Sequence, residues 1–168
     1  MQENSYNQIR NYFKNLVEQS KFLNGYSGFF QRELVGKMTN YTTPLQAPYL
    51  ALFEYNLGFD GPDQNTVAVR KIGIAIMFNK IKADDLEQQY NAIHDAEQLA
   101  VKVMSRIKHD SHQEGHFLHN SLIKDSIEIT AVELSATDFG VEIFFSLRNK
   151  QLLRVQTEDW KDFLHECL

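Results

Sequence analysis

A long helical segment flanked by alternating segments most restricts the fold of this chain. In residues 86–107 apolar side chains recur every three or four positions, which predicts an amphipathic helix of about six turns. Asp84 or Asp85 can cap its first turn, and Arg106 and Lys108 lie near its end, where cations favour the helix dipole. Apolar and polar residues alternate in the segments before and after it, which predicts strands. This arrangement predicts an α+β fold in which helices cover a mainly antiparallel sheet.

The predicted order of elements is α-β-β-α-β-β in a single domain, residues 1–168, with a short helix near the C-terminus. The first twenty residues have helical spacing, Asn4 or Ser5 is the expected N-cap, and residues 1–23 are a candidate helical arm. Residues 26–41 fit either a short helix or an irregular packed segment. The other predicted elements are strands 49–57, 66–79, 123–134 and 139–147, the polar loop 109–121, and a helix that starts at Thr157 and carries Trp160 and Phe163.

Two of the strands have features beyond simple alternation. Strand 49–57 is apolar on both faces at its start, which predicts a central position in the sheet. In strand 66–79 the apolar positions change parity between Val69 and Ile72, which predicts a β-bulge near Arg70-Lys71. Alternation along strand 49–57 predicts that five apolar residues share one face: Tyr49, Ala51, Phe53, Tyr55 and Leu57.

Charge and cysteine content exclude several classes of function. The chain has 17 Lys and Arg against 22 Asp and Glu, a net charge of −5, and it has no run of basic residues. Nucleic-acid binding needs a basic surface, so we expect no nucleic-acid partner. The single Cys167 allows no intrachain disulfide, and the polar N-terminus lacks the pattern of a secretory signal. The longest apolar run, 72–78, is too short for a membrane helix, so we expect a soluble, cytoplasmic protein without a membrane partner.

The strongest candidate for site chemistry is a histidine-rich segment, residues 109–119. In a helix its four histidines would share one face, and His112 and His116 could hold a divalent metal through neutral imidazole nitrogens. His109 is a further candidate ligand, whereas Gly115 weakens a helix at this point. A solvated loop is the alternative interpretation, and we favour it. We therefore predict no catalytic residue and no cofactor, with these three histidines as weak metal candidates.

The predicted second strand of the C-terminal hairpin places an aromatic residue on its outward face. Phe139, Val141 and Ile143 alternate with Glu142 and Phe144. Packing under a twisted sheet explains most of the aromatic residues of the chain. An apolar side chain on the outward face indicates contact with another subunit.

The element order and two short segments resemble a known family. The segments are Asp138-Phe139-Gly140 with the alternating strand that follows it, and helix residues 96–110, which contain Ser105-Arg106-Ile107. Over residues 5–150 the chain resembles the tail-terminator and tail-completion (neck) proteins of tailed bacteriophages and prophages. The resemblance implies a non-enzymatic subunit that forms a homo-oligomeric ring and contacts tail-tube or neck proteins, in a virion or prophage particle. Asp138, Phe139, Gly140 and Phe144 are its candidate interaction residues.

Two other functions stay open from the sequence. A metal-dependent enzyme could use the histidine-rich segment, with Asp110 or Glu114 orienting a ligand or acting as a base. A small-molecule or peptide-binding module could use one face of the sheet. Residue chemistry alone does not separate this third possibility from an assembly subunit, since a fold does not determine a function.

Overall fold

The protein has an α+β fold in which a five-stranded mixed sheet packs against helices. The computed structural model describes residues 5–29, 31–39, 44–151 and 153–162. The helices are α1 (Tyr6–Gln19), α2 (Gln31–Thr39) and α3 (Leu86–Ser111), with 3₁₀ turns at Asp63–Asn65 and Thr157–Asp159. The strands are β1 (Gly25–Ser27), β2 (Tyr49–Asp60), β3 (Val67–Phe78), β4 (Leu122–Ser135) and β5 (Asp138–Lys150). The predicted fold class is confirmed.

The sheet has the order β1-β2-β3-β5-β4. Strand β1 pairs with β2 in parallel, and all other neighbouring strands are antiparallel. Strand β2 lies between β1 and β3, as its double-sided apolar start predicts. Strands β4 and β5 form a long hairpin at the other side of the sheet. The short β1 and the helix α2 occupy the segment that the sequence leaves undecided.

Helices α1 and α3 cover one face of the sheet, which we call the helix face. Their apolar side chains pack with those of β2, β3 and β5 into the main core. In α3 the contact is made by Ala92, Ala96 and Ala100 and then by larger side chains, so the helix backbone approaches the sheet closely in its first half. Leu86 and Tyr90 are largely exposed, although their spacing places them in the predicted apolar stripe.

Both long helices begin at short polar residues that satisfy free backbone N–H groups. Ser5 and Gln8 form a capping box at the start of α1, in which each side chain accepts a hydrogen bond from the backbone of the other. Asp85 caps α3 through a 3.0 Å hydrogen bond from the backbone N–H of Gln88. One of the two caps predicted for each helix is therefore confirmed. None of the described helices is long and apolar enough to cross a membrane.

The predicted bulge in β3 is wrong, because the irregularity lies in β2. Strand β3 pairs with β5 without interruption, whereas the register between β2 and β3 shifts between Leu52 and Glu54. The bulge leaves Phe53 on the same face as Tyr49 and turns the rest of β2 over, so Tyr55 packs in the core on the helix face. The five apolar residues of β2 therefore do not share one face.

A buried arginine explains why the sequence pattern misplaces the bulge. Arg70 occupies a core position of β3, in line with Ala68 and Ile72, and is only 3% exposed. Its guanidinium donates to the Tyr55 hydroxyl at 3.2 Å and to the side-chain oxygens of Asn149 and Gln151. These neutral acceptors satisfy the buried cation, so a polar residue fills a position that alternation assigns to an apolar one.

Beyond β5 the chain continues as residues 153–162, which we call the C-terminal tail. A 3₁₀ turn, Thr157–Asp159, lies where the sequence predicts a helix start, and every tail residue is exposed. Phe163 lies outside the described residues. The tail begins just after Gln151, whose backbone N–H donates to the Thr66 carbonyl oxygen at 3.2 Å.

Candidate functional site

A shallow apolar groove crosses the second face of the sheet, which we call the open face. Ala51, Ala75 and Glu142 are cross-strand partners on β2, β3 and β5, and they form its floor. The small alanine side chains leave space between larger neighbours on either side. The groove has a volume of about 270 Å³. The pairing register of β2, β3 and β5 therefore brings the residues of the groove floor together.

The walls of the groove are apolar and aromatic. Tyr49 and Met77 line it on one side and Phe53 on the other, while Leu34 of α2 lies above it. The Phe53 ring lies against Gly73, where an added Cβ would approach ring atoms to 2.8 Å. The bulge in β2 and this glycine together place the ring on the open face.

Phe144 meets Phe53 on this face, as its predicted outward position requires. The two ring centroids are 5.5 Å apart and the rings are nearly perpendicular, which is a favourable edge-to-face geometry. The pair lies beside the groove, next to the row that contains Glu142. Phe144 is half-buried by this contact, so one edge of the aromatic pair still faces solvent.

Glu142 is the one carboxylate that lines the groove. It is half-buried, and within the part of the chain that the structure describes no side chain or backbone group donates to it or forms an ion pair with it. A carboxylate among apolar side chains is an acceptor for an incoming N–H or cation. The groove therefore combines a mainly apolar lining with a carboxylate that can accept a hydrogen bond.

A buried hydroxyl group lies at the Tyr49 side of the groove. Tyr49 is fully buried, and its hydroxyl oxygen has no hydrogen-bond partner among the described residues. Burial raises the pKa of this hydroxyl well above its usual value, and the nearby Asp138 carboxylate raises it further. Asp138 Oδ1 is also unpartnered among the described residues.

Three of the four predicted interaction residues lie inside the fold. Asp138, Phe139 and Gly140 are all buried, so they present no free surface on the single subunit. Asp138 Oδ2 accepts hydrogen bonds from the hydroxyls of Ser135 and Thr137 and so holds the β4–β5 turn. A Cβ at Gly140 would collide with the carbonyl oxygen of Ile76, so the strand pairing requires glycine here. Their roles are turn formation and packing.

The structure does not bring the histidine-rich segment together as a ligand set. Helix α3 ends at Ser111, and the chain then turns through residues 112–121, with Gly115 at a φ of +81°. The expected single helical face therefore does not form. Three histidine rings form local backbone contacts instead: His112 with the Lys108 carbonyl oxygen, His116 with the Leu118 N–H, and His119 with the Gln113 carbonyl oxygen. Among the described residues no group of three or more His, Cys, Asp or Glu side chains could hold a metal ion.

One residue of that segment has a role that the sequence does not reveal. Asp110 is only 5% exposed and accepts a 2.7 Å hydrogen bond from the Tyr12 hydroxyl, which joins α3 to α1. Arg106 Nε donates to the same carboxylate at 2.9 Å. Burial raises the pKa of Tyr12 far above its usual value, and the hydrogen bond to Asp110 raises it further. Because Tyr12 and Asp110 are far apart in sequence, spacing gives no signal of this contact.

The C-terminal tail exposes three large apolar side chains to solvent: Leu153, Val155 and Trp160. Trp160 is the single tryptophan of the chain and is 56% exposed. The hydrogen bonds of Arg70 to Asn149 and Gln151 fix the point at which the tail leaves the sheet. The tail is therefore a further exposed apolar feature among the described residues.

Comparison with known proteins gives no family assignment. The chain matches no protein-family model, and no curated protein is significantly similar to it.

Proposed function

We propose that this chain is a non-enzymatic assembly subunit that associates with copies of itself into a ring. The observation that carries the proposal is the open face of the sheet, where an apolar groove and an edge-to-face aromatic pair lie beside each other. On the helix face, in contrast, α1 and α3 pack over the main core. Contiguous apolar surface of this kind marks protein–protein contact.

The edges of the sheet provide further contact surface. Strand β1 forms one edge and β4 the other, and many β4 side chains are exposed. The unpaired backbone groups of an edge strand are available for pairing with another chain. In a ring, an edge or face of one subunit meets a different surface of the next, which is a heterologous contact that closes after a fixed number of copies.

The resemblance to phage tail-terminator and tail-completion proteins implies where in a particle this ring would act. On that basis the ring would bind tail-tube or neck proteins of a phage or prophage particle. The net charge of −5 fits protein partners better than direct contact with DNA. Phe144, in the aromatic pair, is the residue that we assign to the subunit contact.

Size-exclusion chromatography with light scattering, followed by electron microscopy, tests the proposal. We expect a concentration-dependent oligomer that forms closed rings. Phe144→Asp should abolish it, while Leu57→Asp should not, because Leu57 is an exposed apolar residue on the helix face. A monomer at every concentration, or equal loss with both variants, would contradict the proposal.

Binding of a small molecule or peptide in the groove is the second candidate function. The apolar lining with a single unpaired carboxylate favours it, since small-ligand sites combine apolar walls with few polar groups. A thermal-shift screen of amphipathic amines separates the two functions. A stabilising ligand that binds the monomer, is lost in Glu142→Gln and has no effect on self-association would favour the binding module.

A further inference from the structure

The groove and the C-terminal tail of this chain are complementary, and we infer that Trp160 of one subunit inserts into the groove of the next. The groove is mainly apolar, and the Glu142 carboxylate that lines it has no partner among the described residues. Trp160 is large, apolar and exposed, and its indole N–H is a donor that needs an acceptor once it is buried. This inference rests on the proposed self-association and names the residues that carry it.

The groove matches an aromatic side chain in shape as well as in chemistry. Its floor of Ala51 and Ala75 is flat, and the rings of Phe53 and Tyr49 line opposite sides. Aromatic rings prefer edge-to-face contact with other rings, which Phe53 and Phe144 already show. A tryptophan in a closely packed pocket is also the most frequent type of energetic hot spot in protein interfaces.

The reach of the tail favours a neighbouring subunit over its own groove. Glu142 lies nine residues before Gln151 along β5, a distance of roughly 31 Å at about 3.4 Å per residue. Trp160 lies nine residues after Gln151, and three of these form a 3₁₀ turn, so the backbone of the tail spans roughly 28 Å at most. To reach its own groove the tail would have to turn back and run almost fully extended along the sheet. A neighbour's groove imposes no such requirement.

Such a contact is heterologous, because it joins two different surfaces, and this determines the kind of oligomer that forms. The donor surface is the tail and the acceptor surface is the groove, and each subunit carries one of each. A chain of subunits linked in this way closes into a ring or continues as a filament. Anchoring of the tail base by Arg70 limits the directions in which the tail leaves, which favours one fixed geometry between neighbours.

The single tryptophan provides a direct measurement. Emission from Trp160 reports on this side chain alone, so it should shift to shorter wavelength as the full-length protein is concentrated and the indole leaves water. Trp160→Ala should weaken self-association by at least about 30-fold, the loss expected for an interface hot spot. Trp160 is exposed in the subunit, so this variant should keep the fold and Tm of the wild type.

A mixing experiment separates insertion into a neighbour from insertion into the same chain. Trp160→Ala keeps the groove but lacks the donor, and Glu142→Lys keeps the donor but presents an ammonium group to the indole N–H. Each variant alone should be monomeric, and an equimolar mixture should form a pair of two 19.5 kDa chains without larger rings. Glu97→Lys is the matched control, because it makes the same charge change at an exposed site on α3, away from the groove and from the sheet edges.

The outcomes distinguish this inference from the function on which it rests. A wild-type protein that is monomeric at all concentrations overturns both. Rings that persist in Trp160→Ala overturn the tail insertion and leave the proposed ring intact. A blue-shifted emission that does not depend on concentration, with no pair in the mixture, shows insertion within one chain and also overturns it.

Discussion

Removal of one hydroxyl group from Tyr12 should cost about 2 kcal/mol of unfolding free energy. Its hydroxyl donates to the Asp110 carboxylate at 2.7 Å, and Asp110 is almost completely buried. A hydrogen bond to a charged group typically contributes ~1.5–3 kcal/mol, and Tyr12→Phe leaves Asp110 with the Arg106 contact alone. The ring of Phe fills the same space, so the cost comes from the hydrogen bond.

Tyr26→Phe is the matched control for this change. The Tyr26 hydroxyl lies 3.4 Å from the Arg10 carbonyl oxygen, beyond the usual range for an O–H donor, and the contact is exposed. We expect a loss of no more than about 0.5 kcal/mol. Urea denaturation followed by circular dichroism gives both values, and the m-value should not change.

The stability of Tyr12→Phe relative to wild type should also change at alkaline pH. Because the pKa of Tyr12 is raised in the folded state, its contribution is fully present below about pH 10 and decreases as the pH rises above that value. At pH 10.5 the unfolded wild type gains about 0.8 kcal/mol from ionisation of this tyrosine, a gain that the phenylalanine variant lacks. The difference between wild type and Tyr12→Phe should therefore decrease from about 2 to about 1.2 kcal/mol. The pKa of Tyr26 is raised to about 12, but its effect cancels because both proteins contain it.

Two results would refute this account of the Tyr12 contact. One is a loss at pH 7 that equals the loss in Tyr26→Phe, since the hydrogen bond to Asp110 would then contribute nothing. The other is a difference from wild type that stays constant up to pH 10.5, because it would show that the Tyr12 hydroxyl ionises as easily in the folded protein as in the unfolded chain.

Three further predictions concern the sheet, the tail and the histidine-rich segment. Gly140→Ala should destabilise the protein by about 3 kcal/mol, because the added Cβ would collide with the Ile76 carbonyl oxygen of β3. Gly36 lies on α2 with open space around it, so Gly36→Ala should stabilise the protein by up to about 1 kcal/mol. Urea denaturation measures both changes. Arg70→Met should cost about 2 kcal/mol and make the base of the C-terminal tail cleave faster in limited proteolysis, and an unchanged cleavage rate would show that Arg70 does not anchor it. Zn²⁺, Mn²⁺ and Ni²⁺ should leave Tm unchanged and elemental analysis should find none bound, whereas a stabilising metal whose effect is lost in His112→Ala would restore the metal hypothesis.

The elements with long regular periods were predictable from the sequence. Helix α3 repeats its apolar positions from Leu86 to Ile107, and the β4–β5 hairpin alternates on both sides of a short polar turn. Over most of these elements local spacing and burial agree, because one side of the helix or strand faces the core; Leu86 and Tyr90, at the start of α3, are exceptions. The outward position of Phe144 followed from the same alternation.

The sequence-based predictions are wrong where a residue distant in sequence changes the environment of a local pattern. Arg70 resembles an outward residue until Tyr55, Asn149 and Gln151 provide acceptors for its buried guanidinium. Strand β1 has only three residues, too few to show a period, and forms because β2 pairs with it. The histidine-rich segment has suggestive composition, but the end of α3 and a left-handed Gly115 separate its rings.

The sequence by itself determined the fold class, the long helix, the outward aromatic residue and the net negative charge. These follow from local periodicity and from charge, which need no knowledge of contacts between distant residues. The groove is different, because its floor of Ala51, Ala75 and Glu142 exists only in the register of three paired strands. Its complementarity to Trp160 also depends on which face each residue occupies and on where Arg70 fixes the tail. Tertiary structure alone decides this, since it sets the neighbours of each side chain.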